Sequence, residues 1–217
     1  IRDRCAMDWG ERVARSHASR LEREGWLERH RIFRGDGSLL VSTRRGVRMT
    51  GLAVSAPAAP EPTSWAHDCA CAWTASWLTV RRAPDWRGPR EVLTDPRLKR
   101  IVLWSTRVGL RRAGHRPDLT VRAPVGLVAI EVELERKSAS RMEGILTMYR
   151  RWVAEHEIGG VAYVCGSEAR AGRVRELADQ VGIPAGGLRI ELLSVVREEA
   201  QRWRSRPAER SAGAGGA

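Results

Sequence analysis

The sequence predicts a mixed α/β (α+β) protein in two domains, a small basic helix-and-hairpin domain followed by a mixed sheet flanked by helices. Three observations lead there. Ala53–Ser64, AVSAPAAPEPTS, is a Pro/Ala linker and divides the chain. Before it, a helical pattern precedes two short β-like runs around Gly35-Asp36-Gly37. After it, segments that alternate with period two are interleaved with segments of helical period. The expected organisation is a first domain over 1–52, a linker over 53–64, a second domain over 65–205 and a disordered tail over 206–217.

The totals bound what such a chain can do. Its 217 residues are 42% hydrophobic, enough for packed cores, and the formal charge is +12. That balance points to a polyanionic partner, double-stranded DNA above all. The basic residues are almost all arginine, since only Lys99 and Lys137 are lysine, and arginine suits bidentate contact with phosphate. The four cysteines (Cys5, Cys69, Cys71, Cys165) show no zinc-ligand spacing and read as free thiols. With no signal peptide and no long apolar run, a cytoplasmic location and no membrane partner are expected. The chain begins at Ile1 and reads as entering partway through a helical domain.

In the first domain, Glu11–Gly25 is helical by pattern, with Val13, Ala14, Ala18 and Leu21 toward a core. Its other side carries Arg12, Arg15, Ser16, Ser19, Arg20 and Arg23, the arginines suited to phosphates and guanine edges and the serines to close approach. Gly25 stops the helix and Trp26-Leu27 anchors its exit. The following hairpin, RIFRGDGSLLVST, brings Arg31 and Arg34 toward a nucleic-acid backbone, and Thr43–Gly46 closes the unit. Helix, glycine, hairpin and Thr-Arg-Arg-Gly in this order read as a winged helix; a full one wants a further helix upstream of the partial one expected at Ile1–Trp9.

The second domain opens with a helix over Trp65–Arg81, which Ser64 or Asp68 would cap. His67 and Asp68 are adjacent on it and do not face each other, so ordinary packing and capping are expected of both. Within Arg82–Ala113, Arg90–Leu93 reads as a short strand and Ile101–Trp104 as an apolar element; Trp86 suits either a core or stacking on bases, and Trp104 is expected in the core. His115 is placed either to reach the acids that follow or as a neutral loop residue. Downstream, Ser140-Arg141-Met142-Glu143 offers a capping box for a helix to about Glu155. Gly160–Val164 reads as a buried strand, Ser167 caps a helix over Glu168–Val181, IPAGG turns the chain, and Leu188–Leu193 is a last strand before a charged helix.

Gly114–Lys137 organises this domain as a β-hairpin. With the turn at Ala123–Gly126, Arg122 faces Leu127 and Asp118 falls opposite Glu131. Alternation then puts Leu119, Val121, Val128, Ile130, Val132 and Leu134 on an apolar face, and Asp118, Glu131 and Glu133 on the other. A slip of one residue would drive the acids into the core, so the apolar face fixes the acidic one. Cross-strand neighbours sit about 5 Å apart, and carboxylates that close repel unless a cation sits among them. Mg²⁺ or Mn²⁺ suits such oxygen ligands. The apolar stripe Met142, Ile145, Leu146, Tyr149, Trp152 and Val153 of the next helix is expected against the hairpin's apolar face.

Pro117-Asp118 followed by Glu131 in a hydrophobic strand resembles the PD-(D/E)xK nuclease superfamily. That resemblance implies Asp118 and Glu131 as metal ligands, with Glu133 standing where the superfamily places its lysine. A literal E-x-K occurs later, at Glu135-Arg136-Lys137, and Lys137 could serve only by folding its side chain back. RLEREGWL, the GDG wing with STRRG, WAHD after the linker, and RPDLTV…IEVELE…Y together resemble the replication-relaxation family of actinobacterial plasmids and integrative elements. The resemblance implies a DNA reader joined to a nuclease-like domain in plasmid replication and DNA relaxation. It leaves room for replication or relaxation proteins as partners and for a homodimer. The functions to weigh are a metal-dependent endonuclease or nickase, a catalytically inactive accessory or regulatory DNA-binding protein on the same fold, and a transcriptional regulator.

Overall fold

The computed structural model describes residues 11–31, 38–56, 58–83, 85–135 and 137–205. The partial helix at Ile1–Trp9 with Cys5, the wing tip with Arg34 and Gly35-Asp36-Gly37, Arg136 and the tail lie outside the described residues. The chain is mixed α and β, in two compact units, Ile1–Ala59 with Glu198–Ala217 and Pro60–Arg197. No helix among the described residues is long and apolar enough to cross a membrane.

In the first unit, α1 (Glu11–Arg23) ends before Gly25, and β1 (Leu27–His30) pairs antiparallel with β2 (Leu39–Ser42), Leu27 opposite Ser42. Ala14, Ala18 and Leu21 of α1 are half-buried, but Val13, expected inward, is 41% exposed. A short helix, α2 (Arg44–Thr50), follows where the sequence suggests only a closing segment. Thr43 makes it: its hydroxyl accepts from Gly46 N at 3.1 Å and donates to Gly25 O at 2.7 Å. Gly46 lets the helix rest on the chain before β1, because a methyl there would lie 2.1 Å from the Trp26 carbonyl oxygen.

The second unit begins with α3 (Trp65–Val80), which buries Trp65, Ala70, Cys71, Thr74, Trp77 and Leu78. Ser64 occupies the cap position without a capping bond; its hydroxyl donates instead to Asp68 Oδ2 at 2.8 Å. Arg90–Leu93 is helical, not a strand. It lies in α4 (Pro89–Thr94), where proline in the first turn needs no N–H partner and Glu91 accepts from Gly88 N at 3.2 Å. Two antiparallel strands, β3 (Arg100–Thr106) and β4 (Gly109–His115), form a ribbon.

A four-stranded sheet in the order β5-β6-β7-β8 follows, made of β5 (Leu119–Ala123), β6 (Gly126–Glu133), β7 (Gly160–Cys165) and β8 (Leu188–Leu192). β5 and β6 are antiparallel, and β6, β7 and β8 run parallel. The parallel connections are α5 (Ala139–Ala154) and α6 (Glu168–Val181), and α7 (Leu193–Ser205) comes last. Ser138, not Ser140, caps α5, accepting from Arg141 N; the Ser140 hydroxyl donates to Ser105 O at 2.8 Å. α6 has the expected bounds, its Ser167 cap and its inward Ala171, Val174, Leu177 and Ala178.

The hairpin register is the one the sequence predicts, with Arg122 opposite Leu127 and Ala123 opposite Gly126. The layer covering it is not. The stripe Met142, Ile145, Leu146, Tyr149 and Trp152 forms one core with Ala129, Tyr163 and Cys165, so α5 lies on the acid-bearing face of the sheet. The face with Leu119, Ile130, Val132 and Val164 is buried too, and α3 packs against β6. Burying one such large apolar side chain is worth about 1.5–3 kcal/mol, and α5 buries a full stripe of them. That gain holds Glu131 and Glu133, only 4% and 2% exposed, beneath the helix.

Candidate functional site

Asp118 stands just before β5, and its carboxylate takes over where the strand ladder stops. Its backbone N–H donates to Ile130 O at 2.9 Å, and its Oδ2 accepts from Val132 N at 2.8 Å. Ile130 and Val132 flank Glu131, so the backbone that orients Asp118 also carries its partner acid. The same Oδ2 is 3.3 Å from His67 Nε2, and His67 Nδ1 is 3.7 Å from Cys71 Sγ. His67 and Cys71 are four residues apart on one face of α3.

Glu131 projects toward α5. Its Oε1 lies 2.8 Å from His115 Nε2 and accepts from the Tyr149 hydroxyl, and Tyr149 is itself 3.4 Å from His115 with the rings edge-on. Burial and the neighbouring Glu131 charge hold the Tyr149 phenol well above its ordinary range, so it acts as a donor. Glu133, one step further along the strand, is paired through Oε2 with the Lys137 ammonium. Its Oε1 is buried with no hydrogen-bond partner. Burial raises the Glu133 carboxyl, opposed by Lys137. The carboxylate oxygens of Asp118, Glu131 and Glu133 are hard donors of the kind Mg²⁺ takes, and the Glu133 Oε1 is the one left without a protein donor.

The four residues singled out from the sequence, Asp118, Glu131, Glu133 and Lys137, therefore share one end of the β5–β6 pair. Lys137 does fold back, onto Glu133. His67, expected only to pack, faces Asp118, because an approach across the sheet edge decides its role rather than its neighbour on the helix. His115 takes the first of its two placements and reaches the acids. Cys71 is legible in the sequence only as a free thiol and Tyr149 only as a member of an apolar stripe; the one signal was the spacing of His67 and Cys71, which puts both on one helix face. Burial pushes the Cys71 thiol well above the ordinary thiol range, which disfavours it as a nucleophile.

In the first unit, Arg12, Arg15, Ser16, Ser19, Arg20 and Arg23 are all exposed on α1, and Arg31 is exposed after β1. Arg20 Nε lies 3.7 Å from Glu24, an exposed and therefore weak pair.

Both histidines are held protonated to higher pH than usual. For His67 the main cause is the hydrogen bond to Asp118; for His115 burial opposes the charge but Glu131 outweighs it. A raised folded-state pKa stabilises the fold fully below the unfolded histidine value of about 6.5, and that stability is lost as pH rises through the folded value. His115 also faces Tyr149, Asp118 and Lys137, of which Lys137 opposes its protonation. Thermal melts in chelator are thus expected to show Tm falling as pH rises above about 6.5, and falling less in His115→Gln. Equal slopes in the two proteins would exclude this source.

No family model, no curated protein and no solved structure matches the chain.

Proposed function

We propose that this chain is a DNA-binding protein of a mobile element, of the replication-relaxation kind, and that its second unit is a metal-dependent DNA endonuclease or nickase of the PD-(D/E)xK type. One observation carries the reading: Asp118, Glu131 and Glu133 lie at the same end of the β5–β6 pair, with Lys137 folded back onto Glu133. Mg²⁺ or Mn²⁺ would be held by Asp118 and Glu131, and when bound supplies a lowered water pKa and offsets phosphate charge. The chain's own residues do the positioning. Val132 N–H fixes Asp118, Tyr149 and His115 fix Glu131, and Lys137 brings the positive charge that position 133 lacks. The exposed arginines of α1 and Arg31 would grip the duplex backbone. Replication or relaxation proteins, or a second copy, are the further partners of this reading, and the cytoplasm is its compartment.

A second reading, an inactive accessory or regulatory protein on a nuclease-like fold, draws on two observations. Glu133 stands in the lysine's place, and Glu131 Oε1 already has two partners. Supercoiled plasmid with Mg²⁺ or Mn²⁺ separates them: the first reading expects open circles, the second a bound but uncut plasmid. Both expect affinity to fall by about 10³-fold or more between 50 and 200 mM salt if six or more phosphates are engaged. A flat salt dependence would remove the DNA partner from either. Arg15→Ala and Arg20→Ala are each expected to weaken binding by about 1–3 kcal/mol where the arginine reads a base edge.

A further inference from the structure

We propose that His67, Cys71 and Asp118 form a binding site for a borderline divalent cation of the Zn²⁺ class. One donor atom from each residue lies within 4.8 Å of the other two. The set brings together an imidazole nitrogen, a sulfur and a carboxylate oxygen, which is the ligand chemistry of zinc and not of Mg²⁺.

The three side chains are within reach of a single ion. Tetrahedral zinc, with bonds of about 2.0–2.3 Å to N, O and S, separates its ligand atoms by about 3.3–3.6 Å. The donor atoms lie within 4.8 Å of one another, and the two short approaches use different ring nitrogens, 3.3 Å from Nε2 to Asp118 Oδ2 and 3.7 Å from Nδ1 to Cys71 Sγ. Capture therefore turns the imidazole to bring one nitrogen within reach of both partners. Two ligands come from one helix face at a spacing of four, and the third from a sheet edge where Val132 N–H holds its orientation. The His67 side chain is 41% exposed, so an ion has a route in, while Cys71 closes the inner side. The imidazole now bridges the other two residues through its two nitrogens. Metal capture replaces those bonds: neutral His67 ligates through one nitrogen, Cys71 ligates as thiolate, and its proton leaves to solvent. Three protein ligands leave a fourth position for water or a phosphate oxygen.

Asp118 also belongs to the carboxylate set of the proposed nuclease centre. The zinc site does not depend on that reading, so its test is read on binding rather than on cleavage. Reduced, chelator-treated full-length chain is titrated with Co²⁺. The expected result is a single tight equivalent with thiolate-to-cobalt charge-transfer absorption, displaced by Zn²⁺ and not by Mg²⁺. Cys71→Ala and Cys71→Ser lose that absorption, and His67→Gln weakens Co²⁺ binding by more than about tenfold. Cys69→Ser, at the neighbouring thiol, keeps both. Because Cys71 is buried, far-UV circular dichroism accompanies each variant, and the partly exposed His67 gives a result even if Cys71 variants do not fold. No Co²⁺ binding, binding without the charge-transfer band, or a band that follows Cys69 instead of Cys71 overturns the proposal. Glu131→Gln separates the two readings, since it removes the nuclease centre's acid and is expected to leave the cobalt–thiolate spectrum unchanged.

Discussion

Glu131→Gln is expected, under the proposed nuclease function, to slow Mg²⁺- or Mn²⁺-supported nicking of supercoiled plasmid by about 100-fold or more, with the proposed DNA binding retained. The replacement keeps volume and an amide oxygen that still accepts from Tyr149, so the packing of α5 on β6 survives. What goes is the negative charge, which the proposed cation needs and which draws a proton onto His115. Losing one preorganised electrostatic group at a reacting centre costs about 10²–10³ in rate. Tyr149→Phe makes the complementary change, keeping the charge and removing the hydroxyl that orients it. It is expected to cost less than Glu131→Gln, because His115 still holds the same oxygen at 2.8 Å. The rate is read as the appearance of open circles on a gel, with circular dichroism to show that both variants fold. A Glu131→Gln protein that nicks as fast as its parent would place the chemistry elsewhere.

The site was legible in the sequence where local alternation decides it. The alternation of Val121, Val128, Ile130 and Val132, with the turn placed at Ala123–Gly126, sets the opposition of Asp118 and Glu131. Which layer covers the acids was not legible. Both faces of a central strand are buried, and Ala129 and Thr120 on the acidic side carry no apolar signal strong enough to show it. Topology decides instead. α5 joins β6 to the parallel strand β7, and such a crossover must lie against one face. Tyr149 therefore meets Glu131, and its place in an apolar stripe concealed a polar role. β4 escaped for the opposite reason: Gly109–His115 is exposed along nearly its whole length, and its arginines and glycines alternate nothing. His67 became informative only through Asp118, a partner far along the chain that the pattern on its own helix cannot reveal.

The same kind of non-local constraint gives one substitution opposite signs at two helical glycines. Gly→Ala inside a helix ordinarily stabilises by about 1 kcal/mol, because glycine gives up more backbone freedom on folding. At Gly172 in α6 a methyl meets nothing within 4 Å, so Gly172→Ala is expected to raise stability by up to that amount. At Gly144 the methyl would lie 2.3 Å from the Leu103 carbonyl oxygen and 3.2 Å from Val102 Cγ1. The obstacle is strand backbone, which cannot rotate away as a side chain does, so α5 would have to lift from β3. Overpacking costs about 1–3 kcal/mol where side chains can adjust, and backbone against backbone belongs at the upper end. Gly144→Ala is therefore expected to lose about 2 kcal/mol or more net of the helix gain. Lifting α5 would also draw Tyr149 from Glu131, so under the proposed nuclease function the variant should nick more slowly at temperatures where it is still folded. Urea unfolding of the two variants beside the parent checks the signs. A stabilised Gly144→Ala would mean that α5 does not rest against β3 as closely as the Leu103 carbonyl requires.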